Sequence, residues 1–410
     1  MTTPTAPTTP HPTGSALLTR VTRYCAAQVE RILGKTPSTG EVFPELDGIR
    51  GLAVLLVLAS HTNLWNLRGV GAVGVWLFYV LSSFLLTRII RKRLPGSLSP
   101  GELCMYVVRR IARVIPTYYA VLAVVAIIDG KPLDWFLRHC VFMLADGHFW
   151  SIPQEELFYV LLPLIAAVVY LAQRWLRLPA VIVAALLLWL GLEKGFPFFQ
   201  LPANGGMSAF YVSVFLVGFL LAHVWELKWF QRALQFRVSR YVANLAGLLA
   251  LASFALAAKH HIGAFASFTQ ITVTTEYPAW THYREYAAIC AVLIVSALIP
   301  GSWMQHLFAC KPMRVVGTLS FGIYLVHHRI LEVFARPMQI PDGIWLFLLT
   351  FLSSFAVALV LERWLESPSM QLGRRLNRKI AARFSSARNA EEKPYVAAPV
   401  EAAESRKASP

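Results

Sequence analysis

Charged residues are scarce in this chain: only 15% of its 410 residues are Asp, Glu, Lys or Arg, whereas 56% are apolar. An ordinary soluble protein carries more charge than this, so that class is excluded. Runs of about 20 apolar residues are typical of helices that cross a bilayer. The composition therefore predicts a polytopic membrane protein.

Cysteine is also scarce, and its spacing excludes several kinds of site. The five cysteines form no C-x-x-C pair and no metal-ligand pattern; they are Cys25, Cys104, Cys140, Cys290 and Cys310. Neither a disulfide framework nor a bound metal is therefore expected. The net charge of +16 comes from Lys and Arg between apolar runs and in the tails. Such residues are typical topology signals, so nucleic acid is not an expected partner.

Ten apolar runs are long enough to cross a bilayer, which requires about 17 to 25 residues. They lie at 46–65, 70–90, 111–128, 155–173, 179–195, 208–226, 241–258, 284–300, 315–334 and 344–364. Lys and Arg gather in alternate connections, which marks those connections as cytoplasmic. The sequence therefore predicts an all-α integral membrane protein with ten transmembrane helices and both termini in the cytoplasm.

The chain divides into three predicted regions. Residues 1–44 are expected to form a partly disordered cytoplasmic tail, because the first fifteen are rich in Thr and Pro. Within this tail, residues 16–35 mix apolar and basic side chains, which suits an interfacial amphipathic helix or a solvated linker. Residues 45–370 are the predicted membrane domain. Residues 371–410 are expected to be a second disordered cytoplasmic tail, basic and rich in alanine.

The first apolar run, ELDGIRGLAVLLVLASHTNLW, contains an arginine and a histidine. Eleven residues at about 100° each bring Arg50 and His61 to nearly the same helix face, about 16 Å apart along the axis. Ionisable groups inside a span are costly and therefore indicate function; side chains that reach the lipid interface are the alternative. A histidine here could take a proton from a hydroxyl near neutral pH.

Three arginines crowd the predicted cytoplasmic entrance of the third span. Arg109, Arg110 and Arg113 lie in the segment RRIARVIP. Guanidinium groups pair well with phosphates, so this segment is a candidate phosphate-binding site. The alternative is that these residues only orient the helix in the membrane.

Two adjacent carboxylates lie near the start of the fourth span, in FWSIPQEELFYVLLPL. Ser151 and Gln154 predict a capping box, which would explain much of the segment as a helix start. Capping does not require both Glu155 and Glu156, so each is a candidate catalytic group. The sequence does not indicate which of the two is functional.

The ninth span, VGTLSFGIYLVHHRILEVF, places Ser320, Tyr324 and His327 on one helix face at intervals of four and three. Two adjacent histidines are not expected to face inward together. His327 shares the face of Tyr324, so these two residues are candidate catalytic groups. A position at the outer membrane interface is the alternative for His327.

Together these segments resemble the membrane-bound type 3 acyltransferase superfamily, whose members O-acylate sugars and related acceptors outside the cytoplasmic membrane. The similar stretches follow the family's order: LDGIRGLA with His61, LFYVLSSFLLTR, RRIARVIP, WSIPQEELFY, SFGIYLVH and Glu366-Ser367-Pro368. Two positions depart from the family. Ser83 stands where glycine is usual, which predicts looser helix packing. Arg329 stands where proline is common.

The resemblance implies transfer of an acyl group, most often acetyl, from cytoplasmic acyl-coenzyme A to a hydroxyl. The implied acceptor is an extracytoplasmic carbohydrate, a glycolipid or a hydrophobic small molecule, and the implied location is the inner membrane. His61 would be the general base and Arg50 would hold the thioester or the acyl carbonyl. Arg109, Arg110 and Arg113 would bind the phosphates of the coenzyme. Membrane lipids and polysaccharide-biosynthesis proteins are further expected partners.

Two other functions would use the same polar residues. Buried Arg and His could form a proton relay in a secondary transporter, although the sequence has no evident inverted repeat. The chain could also be a scaffold in a polysaccharide export complex. Consumption of acetyl-coenzyme A by reconstituted vesicles would separate an acyltransferase from both.

Overall fold

The computed structural model describes residue 23 and residues 27–34, 43–92, 94, 99–144, 147–175, 211–269 and 278–391. Within these residues it is helical and contains no β-strand. The helices are α1 Pro44–His61, α2 Gly71–Lys92, α3 Pro100–Ile128, α4 Leu133–Cys140, α5 Ser151–Trp175, α6 Val212–Trp225, α7 Lys228–Leu234, α8 Arg237–Ala255, α9 Lys259–Thr269, α10 Pro278–Thr281, α11 Tyr283–Leu298, α12 Trp303–Ala309, α13 Lys311–Thr318, α14 Ser320–Arg329, α15 Ile344–Leu361 and α16 Ser367–Glu391. Turns of π-helix at Ile330–Ala335 and Glu362–Glu366 extend α14 and α15.

Nine of the ten predicted spans lie on described helices, and the fifth, 179–195, lies outside the described residues. Five helical stretches are long and apolar enough to cross a membrane: Gly71–Lys92, Pro100–Ile128, Gly147–Ala172, Arg237–Ala255 and Ile344–Phe384. The number rises to seven if each of two bent pairs, α6 with α7 and α11 with α12, is one span. The chain is thus a multi-pass helical protein, while the count of ten spans and the cytoplasmic termini stay predictions.

Helix α1 lies at the centre of the bundle, where it packs against α2, α12 and α13. Glycines bring these helices to backbone distance. A Cβ at Gly317 in α13 would overlap the backbone carbonyl of Asp47, and a Cβ at Gly51 would meet the carbonyl of Met313. Small residues permit such close approach between membrane helices, where packing rather than water exclusion holds the helices together. The first half of α1 is thereby held closely against α13.

Ser83, which was expected to loosen the helix packing, lies in the contact between α2 and α6. Its side chain is fully buried, and its Oγ donates a hydrogen bond of 2.6 Å to the backbone carbonyl of Phe215. Next to this bond, a Cβ at Gly218 would overlap the carbonyl of Val80. The glycine that permits close approach lies on α6, and the serine of α2 adds a hydrogen bond across the contact.

The segment before α1 contacts the bundle. Residues 27–33 are helical, and Ile32 is buried in the main hydrophobic core. Arg31 forms an ion pair of 3.0 Å with Glu362, whose side chain is only 2% exposed. The rest of the predicted amphipathic segment lies largely outside the described residues.

The C-terminal segment is ordered further than expected. Residues 371–391, expected to be disordered, form most of α16, which packs against α3. Gly373 of α16 lies against Ala112, and Gly101 of α3 lies against Phe384. Disorder was expected from the polar composition of the segment alone. The contacts with α3 supply an apolar surface against which α16 packs. Residues 392–410 lie outside the described residues.

Candidate active site

Four histidine rings meet where α1 ends. The ring centre of His61 lies 5.2 Å from that of His327 and 5.2 Å from that of His328. The ring centre of His148, just before α5, lies 5.3 Å from that of His327 and 5.1 Å from that of His328. We call these four residues the histidine cluster. Three separate segments of the chain build it, so it exists only in the folded protein.

His327 presents an available ring nitrogen to the cluster. Its side chain is fully buried, and its Nδ1 lies 2.6 Å from the backbone carbonyl oxygen of Tyr324. A carbonyl can only accept, so Nδ1 carries the hydrogen and Nε2 of the neutral ring is an acceptor. Within the described residues this Nε2 has no hydrogen-bond partner. The cluster therefore contains a buried base beside His61.

Two members of the histidine cluster were not predicted. The expectation that His327 and His328 would not both face inward is wrong, because His148 approaches both rings at once. His328 also pairs with Glu332, with its Nδ1 3.3 Å from the carboxylate. Sequence reasoning missed His148 because it lies outside the apolar run; its position three residues before Ser151 was the available signal.

A short hydrogen-bond chain joins α14 to the start of α5. The hydroxyl of Tyr324 donates to the backbone carbonyl of His148 at 2.6 Å and lies 2.8 Å from Ser151 Oγ. A phenol has one hydrogen, so Ser151 is the donor in the second bond. The predicted capping box is wrong: a 3₁₀ turn at Gly147–Trp150 leads directly into α5, so Ser151 is not an N-cap, and the side chain of Gln154 accepts from the backbone N–H of Tyr211.

Polar residues at intervals of four continue along α5, at Ser151, Glu155 and Tyr159. Glu155 Oε1 accepts hydrogen bonds from Ser82 Oγ, at 2.8 Å, and from the hydroxyl of Tyr159. Glu156 Oε1 is buried and has no hydrogen-bond partner in the described part of the chain. Glu155 is thus held in place by its neighbours, whereas Glu156 has an oxygen that is available to accept a hydrogen bond from a substrate.

Cations gather at the other end of α1. Arg113 of α3 is exposed, and Arg50, Arg110 and Glu366 lie within electrostatic range of it. The guanidinium of Arg110 lies 5.4 Å from the ring centre of Tyr159. We call Arg50, Arg110 and Arg113 the arginine cluster. It brings together three guanidinium groups from α1 and α3.

The remaining predicted residues fall near these two clusters. Arg109 lies within electrostatic range of Tyr106, whose hydroxyl donates to the carbonyl of Tyr159 at 2.8 Å. Arg50 is 3.8 Å from Asp47 and keeps about a fifth of its side chain exposed, at 19%. In the described ranges, no group of three or more His, Cys, Asp or Glu side chains is arranged to hold a metal ion.

The arrangement provides bases at one end of α1 and cations at the other. Arg50 and His61 are about 16 Å apart along the helix axis. The polar residues of α5 lie between them, with Ser151 at the histidine cluster and Tyr159 at the arginine cluster. Such a site can remove a proton at one end and hold an anionic molecule at the other.

Comparison with known proteins gives a consistent picture. A protein-family sequence model with the description "acyltransferase domain" matches residues 43–363 of the chain. The peptidoglycan O-acetyltransferase OatA of Listeria monocytogenes is 28% identical over 369 residues, which cover 80% of this chain and 56% of that protein. The putative peptidoglycan O-acetyltransferase YrhL of Bacillus subtilis is 26% identical, with 72% and 49% covered. The O-acetyltransferase OatA of Staphylococcus aureus is 24% identical, with 80% and 57% covered.

The chain spans about half the length of the curated relatives it matches. No solved structure matches the chain. The family match covers more than half of the sequence and includes all the segments that build the two clusters. The chain therefore belongs to the type 3 acyltransferase family.

Proposed function

We propose that the chain, as a multi-pass inner-membrane protein, transfers an acetyl group from cytoplasmic acyl-coenzyme A to a hydroxyl of a cell-envelope carbohydrate. The observation that carries the proposal is that a single helix, α1, joins the histidine cluster to the arginine cluster. The names of three relatives, all O-acetyltransferases and two of them of peptidoglycan, support a sugar acceptor.

The arginine cluster suits the donor. Arg113 is exposed and has Arg110 and Arg50 nearby, which gives several N–H donors for phosphate oxygens. A single acyl carbonyl cannot contact Arg50 and His61 together, because about 16 Å separates them along α1. In the proposal Arg50 therefore belongs to the donor entrance. The thioester lies closer to the start of α5, and so closer to the histidine cluster.

The histidine cluster suits the acceptor. His61 is half-buried, so its ring can meet a hydroxyl, whereas His327 is fully buried behind it. In the proposed step His61 takes the proton of the acceptor hydroxyl while its oxygen bonds to the acyl carbon. The carbon–sulfur bond of the thioester breaks, and the proton held by His61 can then pass to the thiolate.

The test is acetyl transfer by full-length protein in membrane vesicles, with labelled acetyl-coenzyme A and a glycan acceptor. We expect His61→Ala and His61→Gln to lose about a hundredfold or more in turnover, the usual contribution of a general base. Glutamine can hydrogen-bond a hydroxyl but cannot take its proton. His260→Gln is the matched control, because His260 is exposed on α9, outside the histidine cluster.

Near-normal turnover in His61→Ala at matched membrane levels would remove His61 from the mechanism. A wild-type protein that consumes no acetyl-coenzyme A would overturn the donor and favour a transporter or a scaffold. Mass spectrometry of envelope glycans from cells with and without the gene would identify the acceptor, whether peptidoglycan, another polysaccharide or a glycolipid.

A further inference from the structure

A polar cavity lies away from both clusters, between the C-terminal parts of α2, α5 and α6. It is a cavity of about 180 Å³ lined by Arg91, Leu94, Ala166, Val169, Tyr170 and His223. This volume is roughly six times the 30 Å³ that one water occupies in the liquid. Tyr170 follows Tyr159 by eleven residues, so the cavity lies about 16 Å further along α5 than the contact with Arg110. It is on the predicted cytoplasmic side.

Arg91 supplies the cavity with a cation that has donors to spare. One of its N–H groups, at Nη1, lies 3.3 Å from the backbone carbonyl of Ala222, and a guanidinium has five donors. The nearby carboxylate of Glu226 is engaged by Arg88 in an ion pair of 2.9 Å. The guanidinium of Arg91 is therefore suited to an anion with several acceptor oxygens, for which phosphate is a good match.

The other residues that line the cavity further restrict the kind of ligand that it can bind. Nδ1 of His223 lies 2.9 Å from the carbonyl oxygen of Phe219 and donates to it, so Nε2 of the neutral ring is an acceptor. An acceptor beside a cation suits a ligand that carries a hydroxyl as well as negative charge. The phenol of Tyr170 adds a polar group, while Leu94, Ala166 and Val169 form an apolar wall.

We infer that this cavity binds a phosphate ester that also carries a hydroxyl group, with Arg91 on the phosphate and His223 on the hydroxyl. Two sources at the cytoplasmic face share this chemistry: the glycerol headgroup of an anionic phospholipid, and a soluble ester such as glycerol 3-phosphate. The inference does not depend on acyl transfer, since binding can be measured without turnover.

The experiment measures binding to full-length protein in detergent in two arms. Native mass spectrometry counts retained phosphatidylglycerol against phosphatidylcholine, and equilibrium dialysis measures labelled glycerol 3-phosphate. We expect Arg91→Gln to weaken binding about tenfold or more in one arm, the loss typical of a charged hydrogen bond, and Tyr170→Phe to weaken it less. Lys92→Gln is the matched control, because it removes the same charge one residue further on without lining the cavity.

A loss confined to the lipid arm identifies a headgroup, and a loss confined to the dialysis arm identifies a soluble ester. Unchanged binding in Arg91→Gln overturns the inference, as does an equal loss in Lys92→Gln or a wild-type protein that binds neither probe. If Arg91→Gln does not elute as a single species in gel filtration, Tyr170→Phe decides: binding equal to wild type in both arms then rejects the site.

Discussion

The two glutamates near the start of α5 are adjacent in sequence but have different surroundings. Glu155 accepts hydrogen bonds from Ser82 and Tyr159, which fix its position between α2 and α5. Glu156 has a buried oxygen without a hydrogen-bond partner among the described residues. A buried polar atom left unpaired costs free energy and is therefore a functional candidate. At this scale, Glu155 is expected to position the site and Glu156 to meet the substrate.

This difference separates the two glutamine variants. We expect Glu156→Gln to lower turnover at least about tenfold with little change in the unfolding temperature, because its shape is kept and no fixed bond is lost. Glu155→Gln should instead lower stability by roughly 1–3 kcal/mol, since it removes a charged acceptor of two hydrogen bonds. Turnover and thermal unfolding of both variants check this. Equal changes in turnover and in thermal unfolding for the two variants would show that the two carboxylates do not have different roles.

Arg113 offers a test of the donor end. We expect Arg113→Ala to raise the Michaelis constant for acetyl-coenzyme A by about tenfold and to change that for the acceptor much less, because a charged hydrogen bond contributes about 1.5–3 kcal/mol. Arg138→Ala is the control: Arg138 is an exposed arginine of α4 that pairs with Asp134. An unchanged donor constant in Arg113→Ala would leave the RRIARVIP arginines with a role in topology only.

At the scale of the helices, function depends on how closely α1 approaches α13. The backbone of α1 at Asp47 touches Gly317, and Gly51 touches the backbone of α13 in turn. Arg50 lies between these two positions of α1, so the contact sets the direction in which its side chain leaves the helix. A methyl group at this crossing would have to push the two helices apart.

We therefore expect Gly317→Ala to destabilise the protein by about 1–3 kcal/mol, the usual cost of overpacking, and to lower acetyl transfer as well. Gly263→Ala is the matched control, because a Cβ at Gly263 in α9 would have nothing within 4 Å. Alanine at that helical position should stabilise the protein slightly, by up to about 1 kcal/mol. Thermal unfolding in detergent measures both changes, and equal stability of the two variants would contradict the close contact.

At the scale of the whole molecule, ion pairs tie distant segments together at both ends of the bundle. Arg329 pairs with Asp129 at the end of α3 and with Glu332 at 2.7 Å. The residue that departs from the family's proline thus joins α14 to α3. At the opposite end, Arg31 pairs with the buried Glu362. Breaking a buried pair leaves an uncompensated charge, so this pair holds the segment before α1 on the bundle.

The orientation of the molecule can be tested directly. The distribution of Lys and Arg predicts that Met1 and Pro410 lie on the cytoplasmic side and that His61 lies towards the outside. Reporter fusions at each terminus should therefore give the cytoplasmic signal, and a membrane-impermeant reagent should label a cysteine placed at Trp65 from outside. Trp65 is 72% exposed, which makes it a suitable position. A terminus found outside would reverse the proposed donor and acceptor sides.

The sequence alone determined the features that depend on neighbouring residues. Long apolar runs indicate membrane helices because crossing a bilayer requires a continuous apolar stretch. The helical repeat brings Tyr324 and His327 to one face and aligns Arg50 with His61, since side-chain direction along a helix follows from spacing. The order of the motifs identified the family, which the family match confirmed.

Only the tertiary structure decided which of these residues meet. Ser151 contacts Tyr324 across 173 positions of the chain, and Gln154 accepts from Tyr211 in place of the predicted capping bond. The packing of the helices also placed the ring of His148 beside that of His328. It gave Glu155 two hydrogen-bond donors, whereas Glu156 Oε1 has none among the described residues. Contacts between distant segments depend on how helices cross, and helical spacing carries no information about that. A local pattern therefore located the polar groups, while the packing of the helices assigned them their partners.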